Sequence, residues 1–285
     1  MKPEVIEKGK FFSSILKLTR FGNLLIIGLA QYFTAYFLIG PHILTDIKLL
    51  FLSLSTTLIA AAGYIINDYY DVKIDYINKP DRVVIGKTIT RRYAILFHVF
   101  LSTAGLALGI LLGWRIAAIN LMSIFLLWFY SNLLKRLPVI GNFTVAMLTG
   151  LSILVVDFLY KTDESLIYIY AIFAFFMTWM REIIKDMEDL KGDNSFGCKT
   201  LPIVWGIRRT KWVIYFLLIV LCATVFILDF FYSALPLRYY TLFLFIPLVI
   251  FTFLLARADM KKDFTTLSSF CKIIMLLGIL SMAVV

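Results

Sequence analysis

Nine apolar runs, each near the length that crosses a bilayer, leave this chain few ways to fold. A helix spans the hydrocarbon core with about 20 residues. Apolar stretches near that size read at 22–41, 47–66, 93–113, 116–134, 142–159, 166–180, 212–230, 239–256 and 268–285. With 61% of residues hydrophobic and only 16% charged, the chain has too little polar surface to coat a soluble globule. The expectation is an all-α integral membrane protein, with nine transmembrane helices in one bundle and residues 1–285 as a single domain.

The distribution of basic residues orients this layout, because short cytoplasmic loops collect Lys and Arg. Of the 28 basic residues, 24 fall in the amino-terminal segment, the loops around 67–92, 135–136 and 181–211, and the turn around 257–272. The alternate connections hold only Lys48, Arg115, Lys161 and Arg238. The amino terminus is therefore expected in the cytoplasm and the carboxyl terminus outside, in the cell's inner membrane. Met1 to Lys10 is charged and the run after it is long enough to remain a span, which argues against a cleaved signal peptide.

A net charge of +10 raises the question of nucleic acid, but the bases follow membrane topology and form no separate basic domain. Nucleic acid is excluded as a partner on that ground, and no feature calls for an obligate protein partner. Cys198, Cys222 and Cys271 are odd in number with no CxxC spacing, which disfavours disulfide or zinc frameworks. His42 and His98 are isolated and read as loop or interface residues.

Two acidic clusters stand out against this background. Asp68, Asp71 and Asp75 repeat the spacing of Asp186, Asp189 and Asp193 at an offset of 118 residues, and Lys73 lands on Lys191. At i, i+3, i+7 the carboxylates of a helix lie within roughly 60° of arc. Nine of the eighteen acids fall within 68–81 and 182–193, on the face assigned to the cytoplasm. Two related halves, each with one Asp-rich motif and the motifs facing each other, are the expected organisation. On the third span, Gly105, Gly109 and Gly113 form a small-xxx-small ridge suited to close helix packing.

Aligned carboxylates repel one another without a cation, and Mg²⁺ commonly bridges a few of them to phosphate oxygens. Lys73, Lys79, Arg82, Lys185 and Lys191 lie close by, placed to neutralise a departing diphosphate. An allylic isoprenoid diphosphate suits such a site, its tail among apolar helices and its head on metal. A cation transporter is the competing class, but transport sites lie near the bilayer midplane, whereas these clusters sit at one face.

The motifs resemble those of the UbiA superfamily of intramembrane prenyltransferases. GYIINDYYDVKIDYINKPDR, Gly63 to Arg82, is similar to the family's first motif NDxxDxxxD with its extension, and DLKGD, Asp189 to Asp193, to the second, DxxxD. YSNLLKR, Tyr130 to Arg136, is similar to the family loop that carries a Tyr and basic residues. The resemblance implies a nine-helix bundle with both motifs on cytoplasmic loops. After Arg82, where many relatives continue with a PLPSG-like turn, this chain reads VVIGK.

Residue by residue, the resemblance implies Mg²⁺ and diphosphate binding by Asn67, Asp71, Asp75, Asp189 and Asp193, with Asp68 and Asp186 at further motif positions. It places Tyr130 beside the reacting allylic carbon and Lys135 at the basic position of the middle loop, with Asn23 and Arg20 as the polar start of the first span. Lys73, Arg82, Arg181 and Lys185 are candidate substrate-binding bases. REIIKDMEDLKGD followed by CKTLPI, Arg181 to Ile203, most resembles the branch that alkylates geranylgeranylglycerol phosphate. Arg181 and Lys185 would suit an acceptor that brings its own phosphate. The implied reaction is Mg²⁺-dependent prenyl transfer in ether-lipid synthesis; an aromatic quinone precursor (hydroxybenzoate, dihydroxynaphthoate or homogentisate) is the alternative acceptor.

Overall fold

The computed structural model describes residues 8–232 and 245–284. Helix follows helix, because a backbone in lipid must satisfy its polar groups within one segment. In chain order these are α1 (Lys8–Leu18), α2 (Phe21–Phe33), α3 (Ile47–Asn78), α4 (Arg91–Leu112), α5 (Trp114–Asn132), α6 (Ile140–Tyr160), α7 (Ser165–Glu188), α8 (Leu190–Ser195), α9 (Leu201–Tyr232), α10 (Ile246–Arg257) and α11 (Lys261–Ser281). A π-helical turn, Thr34–Ile39, continues α2, and short 3₁₀ turns cover Pro41–Thr45, Pro80–Arg82 and Leu134–Arg136. Among the described residues, strand-like pairing is confined to one bridge between Ile85 and Ile89.

Eight of the described helical segments are long and apolar enough to cross a membrane. The expected ninth span, 239–256, begins outside the described residues; its described remainder is the 12-residue α10. Two spans, α3 and α7, run well past the carboxyl ends of the apolar runs that predicted them. α3 has 32 residues, about 48 Å at 1.5 Å per residue, against a core of roughly 30 Å. Its carboxyl-terminal third is thus an overhang, and that overhang carries Asn67 to Asp75. α7 likewise continues from the apolar 166–180 to Glu188.

The chain divides into two compact units. One comprises Met1–Gly28 and Phe51–Leu133, with the first Asp motif; the other comprises Leu29–Leu50 and Leu134–Val285, with the second.

In the first unit, α3, α4 and α5 meet around small residues. A Cβ on Gly105 would fall 2.7 Å from Ile59, and one on Gly109 2.2 Å from Asn120 Nδ2. Ser55 donates to the Gly105 carbonyl (2.7 Å) and accepts from Asn120 Nδ2 (2.7 Å), so the polar atoms of this close contact are paired in a lipid setting. Gly113 departs from the expected ridge: it sits past the end of α4 at φ +120 with nothing within 4 Å of a Cβ. It makes the turn into α5 and packs against nothing. His98 Nδ1 lies 3.0 Å from the Ala62 carbonyl, an interface role as expected. The VVIGK segment and the Ile89 that follows it form a hydrophobic plug, with Val84, Ile85 and Ile89 buried against Leu18, Ile65 and Ala94.

In the second unit, α7 is the hub, packed against α6, α9 and α11. Its core joins Met177, Met180, Ile183 and Ile184 to Leu217, Leu221, Phe251, Leu255, Phe264 and Ile274. At the α6–α7 turn, Asp157 is 3% exposed and accepts from Thr162 N, Thr162 Oγ1, Asp163 N and Tyr168 OH. That single carboxylate holds a turn in which Lys161 (φ 54) and Asp163 (φ 51) adopt left-handed backbone.

Candidate functional site

The first motif is helical throughout, where the family pattern implied a loop. Asn67, Asp68, Asp71 and Asp75 are half-buried on the α3 overhang. At 100° per residue they share one side of the helix, while Lys73 is exposed on the roughly opposite side. Arg20 Nη2 reaches Asp68 Oδ1 at 2.8 Å, and its guanidinium lies 4.9 Å from the Tyr64 ring centroid. Arg20 holds this place from a left-handed backbone (φ 51), a conformation that costs a non-glycine residue energy. Burial works against its charge, but Asp68, followed by Tyr64 and Asp75, more than offsets this and raises the guanidinium pKa above its ordinary value. Asn23 Nδ2 donates to Tyr64 OH at 3.3 Å, so Asn23 and Arg20 meet on a tyrosine that sequence reasoning passed over. Arg82 is exposed in its 3₁₀ turn. Beyond it, Lys17 Nζ donates to the Asp81 carbonyl and Arg91 Nη2 to the Tyr69 carbonyl (3.2 Å).

The second motif does not keep the helical register of the first. Asp186 lies on α7, Asp189 occupies the break at φ −95, ψ 7, and Asp193 begins anew on α8. Asn142 Nδ2 donates to Asp186 Oδ2 at 2.9 Å. Glu182, 6% exposed, takes Arg181 Nη1 on one carboxylate oxygen (2.8 Å) and Lys185 Nζ on the other (2.7 Å). Neither Asn142 nor Glu182 was singled out by motif. Cys198 N donates to the Asp193 carbonyl (3.0 Å) and Lys199 N to the Arg136 carbonyl (2.8 Å), which ties the motif to the turn carrying Lys135. Gly141 admits that turn: a Cβ there would fall 2.7 Å from the Leu134 carbonyl oxygen. Tyr130 lies in the last turn of α5, half-buried, in the first unit.

The donor set suits Mg²⁺. Its ligands are hard oxygens, and Asn67 Oδ1 is buried without a hydrogen-bond partner, a carbonyl left for a cation or a bound group. Among the described residues no three His, Cys, Asp or Glu side chains close on one metal-sized point. Mg²⁺ tolerates this, since it is held by one or two carboxylates together with waters and substrate phosphates.

Comparison with known proteins bears on the family and the fold. The sequence model of the UbiA prenyltransferase family matches residues 28–277. A digeranylgeranylglyceryl phosphate synthase of Methanobrevibacter smithii is 37% identical over 62% of this chain and 65% of that relative. One of Sulfurisphaera tokodaii is 32% identical over 83% of this chain and 86% of its own. A solved digeranylgeranylglyceryl phosphate synthase structure superposes with a TM-score of 0.73 at 27% identity, over 96% of this chain and 98% of that one. A UbiA homologue of Archaeoglobus fulgidus, solved with GPP and Mg²⁺, shares the fold at a TM-score of 0.68 and 17% identity, over 95% and 99%. This integral, multi-pass membrane protein belongs to the UbiA prenyltransferase family.

Proposed function

We propose that the enzyme transfers a geranylgeranyl group from its allylic diphosphate to geranylgeranylglycerol phosphate, a step of ether-lipid synthesis. It does so as one nine-span domain of two related halves, in the cell's inner membrane, with its amino terminus and chemistry on the cytoplasmic side. The acceptor follows the relatives named above and the bases Arg181 and Lys185 one to two turns before Asp189. The observation that carries the reading is the shared face of Asn67, Asp68, Asp71 and Asp75 on a helical overhang beyond the apolar span, one carbonyl of it unpartnered.

In this reading Asn67, Asp68, Asp71 and Asp75, with Asp186, Asp189 and Asp193, hold Mg²⁺ and through it the diphosphate. Bound there, Mg²⁺ supplies positive charge that stabilises the diphosphate as it leaves. Arg20, pinned by Asp68 and Tyr64, adds fixed positive charge beside the first motif. Arg82 and Lys135 complete the basic set, whereas Lys73, expected there from its spacing, is turned away on the opposite side of α3; Asn23 steadies Tyr64, and Tyr130 flanks the allylic carbon. The allylic C–O bond breaks with its electron pair going to the diphosphate. The acceptor hydroxyl oxygen bonds to the freed carbon, and its proton passes to a motif carboxylate or the released diphosphate.

The test is acceptor competition in purified protein supplied with geranylgeranyl diphosphate and Mg²⁺. Alkylation of geranylgeranylglycerol phosphate over hydroxybenzoate, dihydroxynaphthoate and homogentisate is expected. Efficient alkylation of an aromatic acid with no turnover of the glycerol phosphate ether would sink the acceptor and leave prenyl transfer intact.

A further inference from the structure

Glu182 is an expensive residue to place where it is. It lies on α7 with its side chain 8% exposed, and each carboxylate oxygen takes a different cation, Arg181 Nη1 at 2.8 Å and Lys185 Nζ at 2.7 Å. Buried ion networks seldom stabilise a fold better than an apolar replacement would, because desolvation offsets the attraction. One carboxylate thereby fixes two cations within one to two turns of Asp189. Unused donors accompany it: Arg181 Nε and Thr178 Oγ1 are both buried without a hydrogen-bond partner. Thr178, Glu182, Lys185 and Asp189 recur at helical spacing, so these groups form one stripe running toward the second motif. Two cations held in fixed positions beside orphaned donors are the complement of an anion, and a guanidinium whose Nε is unpartnered suits phosphate oxygens.

We propose that Glu182 is a positioning residue that holds Arg181 and Lys185 as a preorganised pair for the acceptor's phosphate monoester, and so sets the preference for phosphorylated over unphosphorylated acceptors. This rests on the acceptor reading above. Glu182 touches no substrate itself. Coulomb attraction alone predicts the opposite outcome on its removal, since unneutralised Arg181 and Lys185 would draw an anion more strongly. Only lost geometry weakens phosphate binding.

The experiment is steady-state kinetics of the full chain in detergent with geranylgeranyl diphosphate and two acceptors, geranylgeranylglycerol phosphate and its parent alcohol. Wild type should prefer the phosphate ester. In Glu182→Gln the KM for the ester should rise about tenfold, the loss expected for one charge-assisted contact. The KM values for the alcohol and for geranylgeranyl diphosphate should stay within about twofold. Placed in a Lys185→Met background, Glu182→Gln should add less than about twofold, because both act through one contact. An unchanged ester preference, a lower ester KM, or an equal loss for both acceptors and the diphosphate would each overturn the proposal. If Glu182→Gln fails to fold, Glu182→Asp decides: its shorter carboxylate should cost part of the preference, and full retention would overturn the proposal. A wild type indifferent to the acceptor phosphate would remove the acceptor reading and this inference together; a wild type that prefers it, with Glu182→Gln unchanged, removes only the inference.

Discussion

Arg20 shows how single residues shape this molecule: from a left-handed backbone its guanidinium reaches both Asp68 and Tyr64 and fixes the start of α2 against α3. Asp157 does the same for stability, with four donors on a side chain 3% exposed. Asp157→Ala should lower unfolding stability in detergent by about 2–4 kcal/mol while leaving KM values for either substrate unchanged, since it strands several buried donors and lies on the turn opposite the motif end of α6 and α7. Lys185→Met should raise acceptor KM or lower kcat/KM by about tenfold to a hundredfold, with the prenyl diphosphate little affected; an equal loss for both substrates would place Lys185 on the shared diphosphate. The shared side of Asp68, Asp71 and Asp75 was legible from spacing, whereas Lys73, grouped with them by proximity in sequence, faces the other way. Tyr64 and Asn142 were not legible, because one polar residue beside an apolar run looks ordinary until a partner 41 or 44 residues away in sequence is brought to it; Glu182 was not, because an acid between two nearby bases reads as a solvated helix face until its burial is seen.

At the scale of elements, apolar run length located the spans but understated α3 and α7, whose extensions interleave charged and apolar residues and so break the apolar run without ending the helix. Identical spacing in the two motifs also hid a difference: α3 is unbroken through Asp75, whereas Asp189 sits at a break between α7 and α8. The glycine ridge on α4 was legible as packing at Gly105 and Gly109. At Gly113 helical periodicity misled, since the helix ends at Leu112 and the residue serves a turn. Gly109→Ala should destabilise the protein by about 1–3 kcal/mol, because its Cβ meets Asn120 at 2.2 Å. Asn120→Ala added to it should recover part of that loss, measured as detergent unfolding midpoints; simple additivity would show that the two do not share this space.

For the whole molecule, composition and charge were enough to read a membrane protein, and large apolar side chains such as Phe216, Ile219 and Phe226, each more than 60% exposed, are the lipid-facing surface that such a chain presents. The 24-to-4 division of bases predicts that cysteines introduced near Lys87, Lys135 and Lys199 react with impermeant reagents only from the cytoplasmic side. Labelling of any of them from outside would overturn the orientation. The central claim is that the two Asp motifs hold Mg²⁺ and diphosphate for prenyl transfer, and diphosphate release from geranylgeranyl diphosphate in the presence of acceptor measures it most directly. Wild type should release diphosphate only with Mg²⁺, and Asp71→Ala and Asp189→Ala should each fall to the metal-free level while eluting as folded protein in detergent. Near-normal release from either folded variant, or from wild type stripped of Mg²⁺, would contradict the account.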